Sequence, residues 1–212
     1  MKRIGVDEAG KGDYFGYLVV AAVYVGDEES RLKALGVKDS KKLLDSKVAE
    51  LAREIKKICK DKYEIVKISP EKYNQLYKKF GPKGLNKLLA WGHARAIENL
   101  LSKVQCDLVI TDKFAEERFV NEALMEKGRK AQIDQRINGE SDIAVAAASI
   151  LARDEFLKTL RSLGREIGVV LPKGATHVEE AAKQLVKKHG ETILDYVAKK
   201  HFKTTKRVLK GK

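Results

Sequence analysis

Residues 17–25 read YLVVAAVYV, an unbroken apolar run bounded by Gly16 and Gly26. A run this short and this rich in valine predicts a buried strand rather than a helix. Just before it stands a second short, β-branched segment, KRIGVD (2–7), which passes into the glycine-rich turn EAGKGD (8–13). The two runs therefore predict a hairpin whose turn carries acidic, basic and glycine residues where a functional loop would stand.

The rest of the chain alternates helical and extended patterns. Val48, Leu51, Ala52, Ile55, Ile58 and Cys59 recur at helical spacing between Ser46 and about Lys60. YEIVKISP (63–70) predicts a third strand stopped by Pro70, and a longer helix is expected from about Leu85 to Ser102. DLVITD (107–112) is another buried strand ending in a carboxylate, and AQIDQRI (131–137) fits an edge strand. ESDIAVAAASILARDEFLKTL (140–160) is the clearest helix, acidic at its start as the helix dipole favours and rich in small residues that permit close approach to a sheet. VEEAAKQLVKKHG (178–190), with Gly190 as its C-cap, and TILDYVAKKHF (192–202) complete the pattern. The expectation is one α/β domain over residues 1–212, with about five strands and a helical C-terminal part from about residue 170.

Charge narrows the partners. Lys and Arg number 43 against 30 Asp and Glu, a net +13, while apolar residues make up 43% of the chain, enough for a real core. Such a balance suits a polyanion, nucleic acid ahead of a membrane surface, although Lys/Glu-rich surfaces also accompany hot habitats. No apolar run approaches the roughly 18 residues of a membrane helix, and no signal-peptide pattern opens the chain. Cys59 and Cys106 are too few for a disulfide framework and lack metal-ligand spacing, which predicts a reducing, cytoplasmic setting. No self-association face is marked, so a monomer is expected.

Four acidic positions stand out by location. Asp7 ends the first strand, Glu8 begins the turn, Asp112 ends DLVITD, and Glu140 or Asp142 opens the small-residue helix. Strand ends and helix starts are where an α/β scaffold presents side chains without disturbing its core. Converging carboxylates repel unless cations sit between them, and oxygen ligands without nearby His or Cys suit Mg²⁺ or Mn²⁺. Two such ions suit in-line displacement at phosphorus. Singly, each acid is more often a turn or cap residue than a ligand. The GKG turn (10–12) leaves backbone groups open to close approach, with Lys11 placed for a phosphate.

Taken in order, DEAGKGDYFG (7–16), LVVAA (18–22), KDSKKL (38–43), ITDKFA (110–115) and ESDIAVAAASILAR (140–153) resemble the type 2 ribonucleases H, over about residues 4–207. The likeness is closer to ribonuclease HIII, through DYFG (13–16), LAWGHARAIENLL (89–101), LPKGATH (171–177) and AKKHFKTTKR (198–207). The resemblance implies an RNase H-like fold, a central mixed sheet flanked by helices. It implies endonucleolytic cleavage of the RNA strand of RNA–DNA hybrids, two Mg²⁺ or Mn²⁺ ions, and 5′-phosphate and 3′-hydroxyl ends. Carried over, the catalytic and metal-binding residues are Asp7, Glu8, Asp112 and a fourth acid. If Glu140 and Asp142 share one helix they point roughly 200° apart, so only one can face the site; the ribonuclease HIII pattern favours Glu140, with Asp142 the alternative. Gly10, Lys11 and Gly12 would grip RNA 2′-hydroxyls, and Ser40 and Lys41 would contact the substrate backbone.

Two departures matter. The tyrosine-containing turn with which ribonucleases HII read an RNA–DNA junction is replaced by LPKGATH, which argues against efficient cutting at a single embedded ribonucleotide. The N-terminal substrate-binding domain usual in ribonuclease HIII is expected to be absent, since Asp7 stands so early. The basic segment 197–212 is then a candidate phosphate-tracking element, or simply a solvated tail. His177 and His201 read as structural or surface histidines, Trp91 as core, and Tyr14 and Phe15 as braces of the turn. Ribonuclease HII-like specificity and a non-catalytic nucleic-acid-binding module remain the rival readings.

Overall fold

The computed structural model describes residues 1–38, 40, 43–112 and 117–210. β1 (Arg3–Ala9) and β2 (Leu18–Val25) pair antiparallel from Arg3↔Val25 to Ala9↔Val19, forming the expected hairpin. β3 (Tyr63–Ile68) pairs antiparallel with β2. β4 (Leu108–Asp112) lies parallel to β1, and β5 (Gln132–Arg136) parallel to β4, giving a mixed sheet in the order β3-β2-β1-β4-β5. β1 is therefore central and β5 is an edge, as its weak pattern suggests.

Every residue of β2 is buried because the strand is covered on both faces. Val19, Ala21, Val23 and Val25 join the core beneath α6 (Ile143–Glu166), whereas Val20, Ala22 and Tyr24 join the core beneath α4 (Gly84–Leu101). Two-sided burial is why the run carries no polar alternation. The small residues of α6 serve close packing: a Cβ added to Gly5 of β1 would lie 2.1 Å from the backbone carbon of Ala144. α2 (Asp45–Ile58) packs against α6 through Val48, Leu51, Ala52 and Ile55.

Elsewhere the structure departs from expectation. Pro70 does not merely stop β3; it occupies the first turn of α3 (Pro70–Phe80), whose Ser69 cap accepts the Lys72 N–H at 3.2 Å. Proline suits that turn because its missing donor would be unpaired there anyway. The short helices α1 (Glu29–Ala34) and α5 (Glu117–Ala123) lie outside the expected pattern. α7 (Glu179–His189) ends on Gly190 at φ +83°. The helix expected over 192–202 is only α8 (Ile193–Val197), which gives way to extended backbone at Ala198. Lys203–Lys210 then form α9, which buries Thr204, Thr205 and Val208 and so is not a solvated tail. Among the described residues no helix is long and apolar enough to cross a membrane.

Candidate active site

The site forms where the parallel pairing of β1 with β4 stops. Asp7 and Glu8 do not end the strand and begin the turn as expected; they lie inside β1, opposite Ala21 and Val20, because its pairing with β2 continues to Ala9. The registered β1–β4 pairs run Ile4↔Val109, Gly5↔Ile110 and Val6↔Thr111, so the next step places Asp7 beside Asp112 just past the parallel pairing. Strand alternation then sends Asp7 and Glu8 to opposite faces. Asp7 points to the α6 face, where Ser149 hydrogen-bonds its carboxyl group. Glu8 points to the α4 face, where His93 Nε2 lies 2.9 Å from Oε2.

Asp7, Glu8 and Asp112 line one cleft of about 350 Å³ together with Gly10, Lys11, Asp13, Ser40, Ser149, Arg153 and Lys173. Burial, reinforced by the neighbouring Glu8 and Asp112 charges, pushes the Asp7 carboxyl above the usual carboxylate range. Burial acts on Glu8 in the same sense but is outweighed by His93 and Lys11, which hold it well below that range. The Lys11 ammonium is 2.6 Å from Glu8 Oε1, and its own pKa is raised by Glu8, Asp7 and Asp112 against the opposing effect of burial. A cation thus already stands against the acids. Among the described residues no three His, Cys, Asp or Glu side chains close into a ready-made metal cage.

Local structure separates the two candidates for the fourth acid. Glu140 does not belong to α6 but to a 3₁₀ turn, Gly139–Ser141, so the two-apart-on-one-helix premise fails. That turn abuts Asp112: the Gly139 N–H donates to Asp112 Oδ1 at 3.1 Å, and a Cβ on Gly139 would meet the Asp112 backbone at 2.8 Å. Glu140 follows, half-buried, and is not among the described residues lining the cleft. Asp142 is the N-cap of α6, accepting the Ala144 N–H at 2.8 Å and the Arg3 guanidinium at 2.7 Å. Both its oxygens are engaged beside Arg3, four residues before Asp7 on β1.

The turn is anchored rather than loose. Gly10 and Gly16 adopt φ +89° and +86°, and a Cβ at Gly10 would lie 2.2 Å from the Tyr17 carbonyl oxygen. Between them Lys11 and Gly12 stay exposed, while Tyr14 and Phe15 are fully buried as braces. Ser40 lines the cleft, but its buried hydroxyl is 2.7 Å from Ser149 Oγ, and its carbonyl accepts from Arg153. Arg153 and Lys173 converge on Asp45, at 2.7 and 2.6 Å. Lys41 lies outside the described residues.

His177 is exposed, and His201 stacks with Tyr73 and Tyr77 away from the cleft. Trp91 packs with the cluster around Leu88 and Leu89. His93, Ser149 and Arg153 are cleft residues that the sequence does not single out. Their signal is faint: single polar residues within otherwise apolar helical faces, a pattern more often structural than functional. A larger groove of about 680 Å³ continues from Leu157 and Lys173 along Arg161, Arg165 and Leu171, without a cluster of acids.

The same fold and cleft-bearing sequence occur in known proteins. Residues 4–205 match the family model described as Ribonuclease HII. Ribonuclease HIII of Protochlamydia amoebophila is 49% identical over 209 residues, covering 98% of this chain and 68% of that protein. Ribonuclease HIII of Chlamydia pneumoniae is 43% identical over 215 residues, covering 99% and 71%. Among solved structures, Bst-RNase HIII in complex with Mn²⁺ superposes with a TM-score of 0.88 at 33% identity, covering 99% of this chain and 70% of that one. The ribonuclease HII of Archaeoglobus fulgidus, solved as a complex with PCNA, gives 0.73 at 32% identity, covering 90% and 91%.

Proposed function

The chain belongs to the ribonuclease HII family as a type 2 ribonuclease H enzyme, and on that premise we propose that it cuts the RNA strand of RNA–DNA hybrids with two divalent ions held by Asp7, Glu8, Asp112 and Glu140. One observation carries the reading: β1 and β4 deliver three carboxylates to a single cleft that buried Gly10 and exposed Lys11 of the glycine-rich turn also line. The donor set fits Mg²⁺ or Mn²⁺, since it offers only carboxylate oxygens and burial beside Glu8 and Asp112 disfavours the Asp7 charge that a divalent ion would stabilise. The Mn²⁺ complex of the related Bst enzyme supports the same choice.

Divalent ions bound there would supply activation of the attacking water and stabilisation of the leaving 3′-oxygen, leaving a 5′-phosphate. The protein's share is positional. Ser149 and His93 hold Asp7 and Glu8 from opposite faces, so the two acids present their remaining lone pairs toward Asp112. Glu140, carried by the turn packed on Asp112, completes the set. Lys11 exchanges Glu8 for a scissile-strand phosphate as substrate enters, while the open backbone of Gly10 and Gly12 accepts ribose 2′-hydroxyls. No protein histidine is needed as a general base in this scheme.

The test is a labelled-strand assay on three duplexes: a continuous hybrid, a four-ribonucleotide stretch and a single ribonucleotide in DNA. Cleavage of the first two with Mg²⁺ or Mn²⁺, abolished by chelation, and weak cutting of the third are expected. Absence of metal-dependent cleavage on all three would overturn the proposal, and strong cutting of the third would transfer the chain to ribonuclease HII-like specificity.

A further inference from the structure

Lys199 is a fully buried lysine in the extended segment after α8, and the mechanism above does not use it. Its Nζ lies 2.8 Å from the Asp13 carbonyl oxygen, 2.7 Å from that of Gly16 and 3.3 Å from that of Phe15. The backbone of the same segment reinforces this grip. The Lys199 N–H donates to Tyr14 O at 2.8 Å, the Gly16 N–H donates to Val197 O at 2.9 Å, and Phe15 and Ala198 form an antiparallel bridge.

A buried amine is costly, and a methionine of similar length would fill the space without that cost. The Asp13 charge favours the ammonium, but the amine's hydrogen bond is to the Asp13 carbonyl, while carboxylate Oδ1 accepts the Gly174 N–H at 2.6 Å. Lys199's partners are carbonyls, and three carbonyls from residues 13, 15 and 16 can meet one nitrogen only if the chain curls there. Burial lowers the group to about 7, and a neutral amine keeps two N–H donors, enough for two of the three carbonyls. The curl sits directly behind the exposed part of the turn, which the Asp13 N–H closes onto Gly10 O at 3.3 Å.

We propose that Lys199 is a positioning residue for the substrate turn, fixing residues 13–16 so that Gly10–Gly12 stand at the geometry needed to engage ribose. The functional half rests on the assignment of that turn to 2′-hydroxyl recognition; the positional half does not.

The experiment compares the full chain with its Lys199→Met and Lys199→Gln variants in two assays. In steady-state cleavage of a hybrid, Lys199→Met raises KM about tenfold or more while kcat changes less, and Mn²⁺ affinity measured by calorimetry stays constant. Lys199→Gln, which keeps N–H donors without charge, falls between wild type and Met. If the Met variant does not fold, the Gln variant carries the test. In amide hydrogen exchange, residues 10–17 lose protection in the variant while α6 keeps it. Unchanged KM and unchanged protection in a folded variant would overturn the proposal. Lost protection in a protein that cuts no hybrid would sustain the positional role and reject the substrate reading instead.

Discussion

His93 Nε2 lies 2.9 Å from Glu8 Oε2, and its Nδ1 lies 3.3 Å from Thr111 Oγ1, so a ring buried in α4 fixes the second acid of the cleft from beneath. Groups that orient a ligand from behind typically contribute 10–100-fold to metal affinity. His93→Leu is therefore expected to weaken Mn²⁺ binding by about tenfold or more, with His93→Gln losing less because its amide still reaches Glu8. Calorimetric titration checks this, and equal affinity in wild type and the Leu variant would contradict it.

The Asp7 carboxylate carries a cost to stability. Its carboxylate is buried beside Glu8 and Asp112, whereas an asparagine keeps the acceptor for the Glu8 N–H, at 2.8 Å, without the charge. Asp7→Asn is expected to raise the melting temperature of the metal-free protein by about 2–4 °C, corresponding to about 1 kcal/mol in a chain of this size. Added Mn²⁺ should reverse the order, since ligand at 100 times Kd adds about 2.7 kcal/mol to wild type. Thermal scans with and without Mn²⁺ provide the check.

Lys199 also sets a pH dependence. Its folded pKa of about 7 lies below its unfolded value near 10.5, so between them the unfolded chain binds the extra proton and stability rises with pH. The groups facing it are Asp13, the Tyr73 ring and His201, which burial and the Lys199 charge lower to about 4. The His201 contribution rises between about 4 and 6.5 and is complete before the lysine window opens. Urea midpoints are expected to climb from pH 7 to 9 in wild type and to climb less in Lys199→Gln; parallel profiles would refute the shift.

α9 calls for point changes rather than truncation. Deleting it would remove the buried Thr205, whose hydroxyl is 3.1 Å from Tyr14 Oη, and so disturb the turn itself. Lys203 and Lys206 are exposed on this helix. If they track phosphate, Lys203→Ala with Lys206→Ala flattens the dependence of log binding constant on log salt by up to about 0.9 for each phosphate left unneutralised. An unchanged slope, read by anisotropy of a labelled hybrid, would leave α9 with only its bracing role.

Much of the architecture is legible in the sequence because the strongest signals are local. The valine-rich run of β2, the small-residue stretch of α6 and the acids near the ends of β1 and β4 each announce an environment by composition alone. What is not legible depends on contacts far apart in sequence. Glu140 and Asp142 stand two apart, yet one joins a 3₁₀ turn on Asp112 and the other caps α6 against Arg3; only packing separates them. Ser149 meets Ser40 across 109 residues, and Lys199 meets Asp13 across 186, distances over which no periodicity speaks. α9 reads as a tail because its charged face dominates its composition, while Thr204, Thr205 and Val208 form a narrow buried stripe.

The central claim is that acids brought together by two parallel strands form one divalent-ion centre for cutting RNA. Asp112 tests it most directly, because it comes from a strand that lies far in sequence from Asp7 and Glu8. The measurement is the single-turnover rate on a labelled RNA–DNA hybrid with saturating Mn²⁺, for wild type and Asp112→Asn. Metal-dependent cleavage by wild type and a loss of about a thousandfold or more in the variant are expected, the scale of an electrostatic contribution to a transition state. Cleavage by the folded variant at the wild-type rate would contradict the claim.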